Sequence, residues 1–260
     1  MRSATTSVIS TSFPWIAHSK PNPYADLRLF CFPYAGGSAL IYRQWQNILP
    51  ATIEICPVQL PGRGARLHET LLTNLGPMVE SIAEALFPCD DKPFAFFGHS
   101  MGALISFELA RLLKQKGHKG PQGLFVSGRR APHVASREPT LFDLPDSDFF
   151  QQLGHLNGTP REVLEHPELM QIMLPLLRAD FSVAENYLYA QGLPLDCPIT
   201  VFGGLQDEYT NHDDLDGWRQ HTSSSCTIRM FTGDHFFINT ANALLLRVLS
   251  MELHQLANRK

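Results

Sequence analysis

Six short apolar runs constrain this chain more than any other feature: LRLFCF (27–32), IEICPV (53–58), FAFFGH (94–99), GLFVSG (123–128), ITVFGG (199–204) and TIRMF (227–231). They are apolar on both faces instead of alternating, and they are too short for buried helices, so each is expected to be a strand. A strand without alternation is buried on both sides, which is the condition of a parallel sheet covered by helices. Segments 74–87, 102–116 and 240–256 have helical spacing, the last through Leu244, Leu245, Val248, Leu249 and Leu253. This order predicts an α/β fold with a doubly wound, mostly parallel sheet. With 260 residues, 44% of them apolar and 18% charged, one packed domain spanning 1–260 is expected.

The interval from Arg129 to Cys197 contains no convincing strand. Its patches FFQQL, EVLEHPELMQIMLPLLRAD and ENYLYAQ are helical in pattern and interrupted by Pro and Gly, which predicts a helical insertion over the sheet. Residues 1–25 hold Ser, Thr, Pro and Asn without a period and are expected to be a poorly packed N-terminal arm. The first twenty residues lack an apolar secretory core, and no run reaches the roughly 20 apolar residues of a membrane span, so a cytoplasmic protein away from the membrane is expected. A net charge of −4 without a long single-sign run argues against a nucleic-acid surface. Cys31, Cys56, Cys89, Cys197 and Cys226 are far apart and free of C-x-x-C spacing, so neither a disulfide framework nor a zinc site is implied.

Gly98-His99-Ser100-Met101-Gly102 is a G-x-S-x-G sequence that follows PFAFF and opens ALISFELARLLKQKG. Strand, sharp turn and helix in that order make a nucleophile elbow, where a strained backbone stands the Ser hydroxyl at the sheet edge and flanking glycines avoid clashes. A Ser hydroxyl is a weak nucleophile at neutral pH and needs a base, which in this fold follows the acid in chain order. Of eleven histidines, His235 lies in the Gly-containing loop FTGDHFFI between the last strand and the last helix, from which an imidazole can reach the elbow. His99 is held inside the elbow, His68, His118 and His133 lie in polar loops, His155 and His166 fall in the insertion, and His254 sits on a C-terminal helical face. Asp207, a few residues beyond ITVFGG, is the candidate acid, with Glu208 as rival and Asp234 as a weaker one. Asp213, Asp214 and Asp216 suit capping or solvation of the next segment. An oxyanion hole needs two donors: the Met101 N–H, and one from the loop FPYAGGS, where Pro33 has no N–H and Ala35 or Tyr34 has. Gly36 and Gly37 could instead cradle a phosphate, but no G-K-[ST] or G-x-G-x-x-G completes that pattern.

Seven ordered stretches, FCFPYAGGSALIYRQW (30–45), VQLPGRGARLHE (58–69), KPFAFFGHSMGALISFELAR (92–111), LFVSGRRAPH (124–133), MLPLLRADFSVAENY (173–187), GLQDEY (204–209) and GDHFFI (233–238), resemble the stand-alone type II thioesterases of polyketide and nonribosomal peptide synthesis. These are relatives of the medium-chain thioesterases of fatty-acid synthesis, and the resemblance spans nearly the whole chain. It implies the α/β-hydrolase fold, Ser100, Asp207 and His235 as catalytic triad, and the amides of Met101 and Ala35 as oxyanion donors. It further implies a helical lid at 131–195, no cofactor or metal, and an acyl or peptidyl carrier protein as partner. The implied role is removal, in trans, of stalled or aberrant acyl groups during antibiotic biosynthesis. Tyr34 stands where the family often has His, a change expected to alter pocket shape more than catalysis. Arg63 and Asp180 also match the family pattern, and a structural ion pair is an equally good account of them. A carboxylesterase or lipase would share the triad, and a silent hydrolase fold that binds a carrier protein is a third class; the longer motifs separate the thioesterase from the first, and the intact Ser, Asp and His argue against the second.

Overall fold

In the computed structural model the six runs are strands: β1 (Leu27–Phe32), β2 (Ile53–Pro57), β3 (Phe94–His99), β4 (Leu124–Ser127), β5 (Ile199–Gly204) and β6 (Cys226–Phe231). The structure describes residues 15–17, 21–86, 91–158 and 161–257. All five strand pairings are parallel, and the order across the sheet is β2-β1-β3-β4-β5-β6. Every residue of β1 to β5 is buried, which accounts for their mostly apolar character, and the buried charges Arg28 of β1 and Glu54 of β2 pair with each other at 3.0 Å.

Helices cover both faces. α1 (Trp45–Ile48) packs on one face, while α2 (Leu75–Leu86) and α3 (Met101–Gln115) pack on the other. In β1 and β3 alternate residues serve the two cores: Phe30, Phe32 and Phe96 meet Ile82 and Leu104, whereas Leu29, Cys31 and Phe97 meet Trp45. Each fully buried aromatic or branched side chain contributes about 1.5–3 kcal/mol of transfer free energy, so the sheet is held from both sides.

Between β4 and β5 lie α4 (Asp146–Leu156), α5 (Arg161–Leu164) and α6 (Pro167–Glu185), with no strand among the described residues of that interval. The helical pattern expected for ENYLYAQ (185–191) does not form: α6 ends at Glu185, where the Asn186 N–H bonds to the Ser182 carbonyl. Tyr187 then turns inward to donate to Glu108 at 2.6 Å, so tertiary contact overrides the local pattern. α7 (His212–Asp216) opens with a capping box between Asn211 and Asp214, as the acidic stretch suggested. After β6 a short α8 (Phe237–Thr240) precedes α9 (Asn242–Ala257), the helix expected over 240–256. α9 buries Leu245, Leu246, Leu249 and Leu253 against the second face.

The described part of the N-terminal arm is packed only in places: Tyr24 is exposed, but the segment around Trp15 is held against the sheet. Trp15 is buried and Ile16 bridges Val58 in antiparallel sense, with the Ala17 N–H bonding to the Pro57 carbonyl at 3.0 Å. β2 is an edge strand, and covering it satisfies backbone groups that would otherwise be open. Arg66 lies over the Trp15 ring at 3.9 Å. The remainder of residues 1–14, and Cys89, lie outside the described residues.

Candidate active site

Strand order reverses between β1 and β3, and in open α/β sheets the crevice at the carboxyl ends of such strands is where ligands bind. Ser100 occupies that point, directly after β3 and before α3, with φ 53° and ψ −113°. A non-glycine residue at positive φ is strained and is held here by its surroundings: the Ser100 N–H bonds to the Ser127 carbonyl at 2.7 Å. The flanking glycines are obligatory for a steric reason. A Cβ on Gly98 would lie 2.1 Å from the Gly102 carbonyl oxygen, and one on Gly102 would lie 2.1 Å from that of Phe32. This close approach brings the N-terminus of α3 against the end of β1. The Met101 amide and the FPYAGG turn therefore flank the Ser100 hydroxyl.

Asp207 follows β5 and His235 follows β6, and the His235 Nδ1–H donates to Asp207 Oδ2 at 2.9 Å. The Asp207 side chain is fully buried, whereas Glu208 is exposed. Burial pushes the Asp207 carboxyl up, but hydrogen bonds from His235, Thr210 Oγ1 (2.6 Å) and the Tyr209 N–H (2.9 Å) outweigh it and hold it below the usual carboxylate range. It stays ionised at neutral pH and fixes the imidazole with Nε2 free to accept. Asp234 instead receives the Phe236 N–H at 2.8 Å, a local turn contact.

Ser100 and His235 line one cavity of about 460 Å³, together with Tyr34, Ala35, Met101 and residues of the insertion such as Leu141, Phe181 and Tyr189. Ala35 N and Met101 N donate to no other group among the described residues. Tyr34 stacks edge-on against Phe236 at 5.1 Å and His99 at 5.7 Å, walling the cavity beside the His235 loop. A groove of about 530 Å³ between α2, α3 and the end of α6 contains none of these groups. Among the described residues no group of three or more His, Cys, Asp or Glu is placed to hold a metal ion, and no helix is long and apolar enough to cross a membrane.

Sequence reasoning missed several supports. His99 is buried under His235, with ring centroids 5.3 Å apart, and Nδ1 lies 2.8 Å from Ser127 Oγ. Burial, then the neighbouring His235, push His99 well below its ordinary value, so it packs as a neutral ring. Gly128, at φ 59°, leaves room for both imidazoles: a Cβ there would lie 2.7 Å from His99 and 3.4 Å from His235. Arg129 bonds the Ala184 carbonyl at 3.1 Å near the end of α6; burial, then Arg130, lower it to about 10, and it remains a cation at neutral pH. Arg63 and Asp180, by contrast, form the ion pair that the sequence allows for them, buried and two-pronged at 2.6 and 2.7 Å between the LPGR loop and α6.

The crevice gathers Ser100, His235 and the turn after β1 in one cavity, and the Thioesterase domain family matches residues 27–253. The chain belongs to the thioesterase family. This thioesterase is 46% identical over 245 residues, 94% of its length and 96% of the relative's, to the gramicidin S biosynthesis protein GrsT of Aneurinibacillus migulanus. It is also 46% identical over 242 residues, 92% of each chain, to the linear gramicidin dehydrogenase LgrE of Brevibacillus parabrevis. The turn after β1 reads FPYAGG in this thioesterase, without the glycine pattern of a dinucleotide site, and the fold is that of an α/β-hydrolase. Among solved structures, YbtT, the type II thioesterase from the yersiniabactin nonribosomal peptide and polyketide pathway, superposes with a TM-score of 0.81 at 33% identity, covering 92% of this chain and 96% of that one.

Proposed function

We propose that Ser100, His235 and Asp207 are the catalytic triad of this thioesterase and that the amides of Met101 and Ala35 form its oxyanion hole. The observation that carries this is the 2.9 Å bond from His235 to a fully buried Asp207 carboxylate, at the wall of the cavity that also takes in Ser100. His235 Nε2 takes the Ser100 proton as Oγ attacks the thioester carbonyl carbon, and the two amides receive the oxyanion. Collapse of the tetrahedral adduct breaks the carbon–sulfur bond, and the departing thiolate takes the proton from His235, which returns to the neutral imidazole. A thiol with pKa near about 8.5 leaves with less proton assistance than an amine requires. Water, deprotonated by His235, then attacks the acyl-serine ester, and Ser100 Oγ departs with the returned proton.

The substrate is an acyl group on the phosphopantetheine arm of an acyl or peptidyl carrier protein, and the role is removal of stalled or aberrant acyl groups from a nonribosomal peptide or polyketide synthase in the cytoplasm. The gramicidin and yersiniabactin pathways named for the relatives support this assignment. The whole chain acts as one domain, with 131–195 as the lid over the acyl chamber. The test is thiol release from acyl-pantetheine and from a loaded carrier protein, against matched oxygen esters. Carrier-bound thioester is expected to be preferred, and Ser100→Ala to lose about 10⁵–10⁶ in kcat. Equal oxygen-ester cleavage would assign a general esterase, and turnover that survives Ser100→Ala would remove the triad.

A further inference from the structure

We propose that Asp180, on α6 of the insertion, is a positioning residue for the oxyanion hole, holding the turn after β1 so that the Ala35 N–H faces the reacting carbonyl. This rests on the triad and oxyanion assignment above. Asp180 Oδ2 accepts the Gly36 N–H at 2.7 Å as well as Arg63 Nη1 at 2.6 Å, while Oδ1 accepts Arg63 Nη2 at 2.7 Å. Arg63 Nη1 also donates to the Gly37 carbonyl at 3.0 Å, and Gln59 Oε1 accepts the Ala39 N–H at 3.2 Å. Gln59 Nε2 in turn bonds to the Arg63 carbonyl at 3.0 Å. The turn is thus gripped at Gly36, Gly37 and Ala39 by groups that are far away in sequence.

The geometry bears directly on Ala35. The peptide between Ala35 and Gly36 is planar, so a bond to the Gly36 N–H sets that plane. Only the two backbone torsions of Ala35 then separate the plane from Ala35's own N–H. Gly36 is committed to Asp180 and is not available to a substrate oxygen. Its positive φ of 75° and the nearness of Leu177, 2.6 Å from where a Cβ would stand, leave room only for glycine at this position. An ion pair that merely stapled the insertion would need Arg63 and Asp180 alone. The third contact, to an amide next to the oxyanion donor, is what such a staple leaves unexplained. Buried ion pairs contribute little net stability on average, which fits a carboxylate retained for position.

The experiment compares Asp180→Ala, Asp180→Asn and Leu177→Ala on acetyl-pantetheine, with Ser100→Ala as control. Three quantities are read: kcat and KM, affinity for a short alkyl boronic acid that forms a tetrahedral adduct, and affinity for an inert thioether analogue lacking the carbonyl. Losing one oxyanion donor costs about 10²–10³ in rate, and a displacement near 1 Å about 10². Asp180→Ala is therefore expected to lower kcat about 100-fold with KM within about threefold, and to weaken the boronate by a similar factor while leaving the thioether unchanged. Asp180→Asn, whose single amide oxygen can still receive Gly36, should recover part of that loss. Leu177→Ala removes packing without the hydrogen bond and should melt earlier yet keep its boronate affinity. If Asp180→Ala does not fold, Asp180→Asn and Arg63→Lys carry the same comparison, each expected to lose about tenfold in kcat and boronate affinity. Asp180 or Arg63 variants with native kcat and boronate affinity would overturn the proposal, as would a Leu177→Ala variant that reproduces their losses. Full turnover by Ser100→Ala would instead remove the triad assignment on which it rests.

Discussion

The crest of the sheet and the helical insertion above it are held by different means. At the crest the backbone itself makes the geometry: Gly98 sits against the Gly102 carbonyl, Gly102 against that of Phe32, and parallel pairing fixes the ends of β1, β3, β4, β5 and β6 side by side. No side-chain exchange can loosen that arrangement without moving a strand. The insertion is held mainly by side chains instead: Asp180 meets Arg63, Tyr187 meets Glu108, Arg129 meets the Ala184 carbonyl and Val183 enters the main core, while within the insertion Glu185 receives the Leu141 and Phe142 amides at 2.8 and 3.0 Å. α4 is farther still from the sheet, packing Phe149 and Leu153 with Met170 and Leu177 of α6 in a small core of their own. The elbow and the Asp207–His235 pair thus sit on the part that backbone packing fixes, while the cavity beside them is walled in part by an insertion whose α6 touches the turn after β1 through Asp180.

Three results would sharpen or break this contrast. The largest is expected for Asp207→Asn, which keeps the shape of the crest but presents the wrong imidazole tautomer. A loss of about 10⁴ in kcat at unchanged Tm is expected from steady-state kinetics and a thermal melt. A loss of only a few fold would show that the crest tolerates exchange of a partner. Phe149→Ala should do the reverse. Deleting this fully buried ring costs about 3–5 kcal/mol of the insertion's stability, measured by urea unfolding, while kcat on acetyl-pantetheine stays within a few fold. A kcat loss approaching that of Asp207→Asn would erase the distinction between the two regions.

The smallest effect concerns the seam between them. His133 Nδ1 lies 2.8 Å from His221 Nε2, beside Tyr189, Trp218, Phe107 and Arg111, and burial, then His133 and Arg111, push His221 down to about 4. The unfolded chain binds a proton at this site near 6.5, whereas the folded chain waits until about 4. Stability is therefore complete above the first value and falls as pH drops toward the second, by about 2 kcal/mol. His221→Gln should flatten the denaturant midpoint between those pH values. An unchanged slope would place the acid sensitivity elsewhere.

Much of the site was legible because its signals are local. Ser100 was marked by five consecutive residues between a strand run and a helix run, and His235 by a Gly-containing loop between the last strand and helix. Asp207 was separable from Glu208 only by position; the structure distinguishes them because one carboxylate is fully buried with three donors and the other faces solvent. The helical tail expected at 185–191 failed because Tyr187 gains a half-buried partner 79 residues away, which no window of neighbouring residues can contain. The packing of Trp15 was hidden for the same reason: it depends on β2 being an edge.

By itself the sequence determined the strands, the elbow and the chain order of Ser, Asp and His, because burial on both faces and a strained turn each leave a pattern within a few residues. Tertiary structure alone decided which carboxylate meets the imidazole, how His99 and Gly128 support it, and that Asp180 reaches the Gly36 amide across 144 residues of chain. Such contacts leave no local period because their partners are brought together only when β1, the LPGR loop and α6 have taken their places on the sheet.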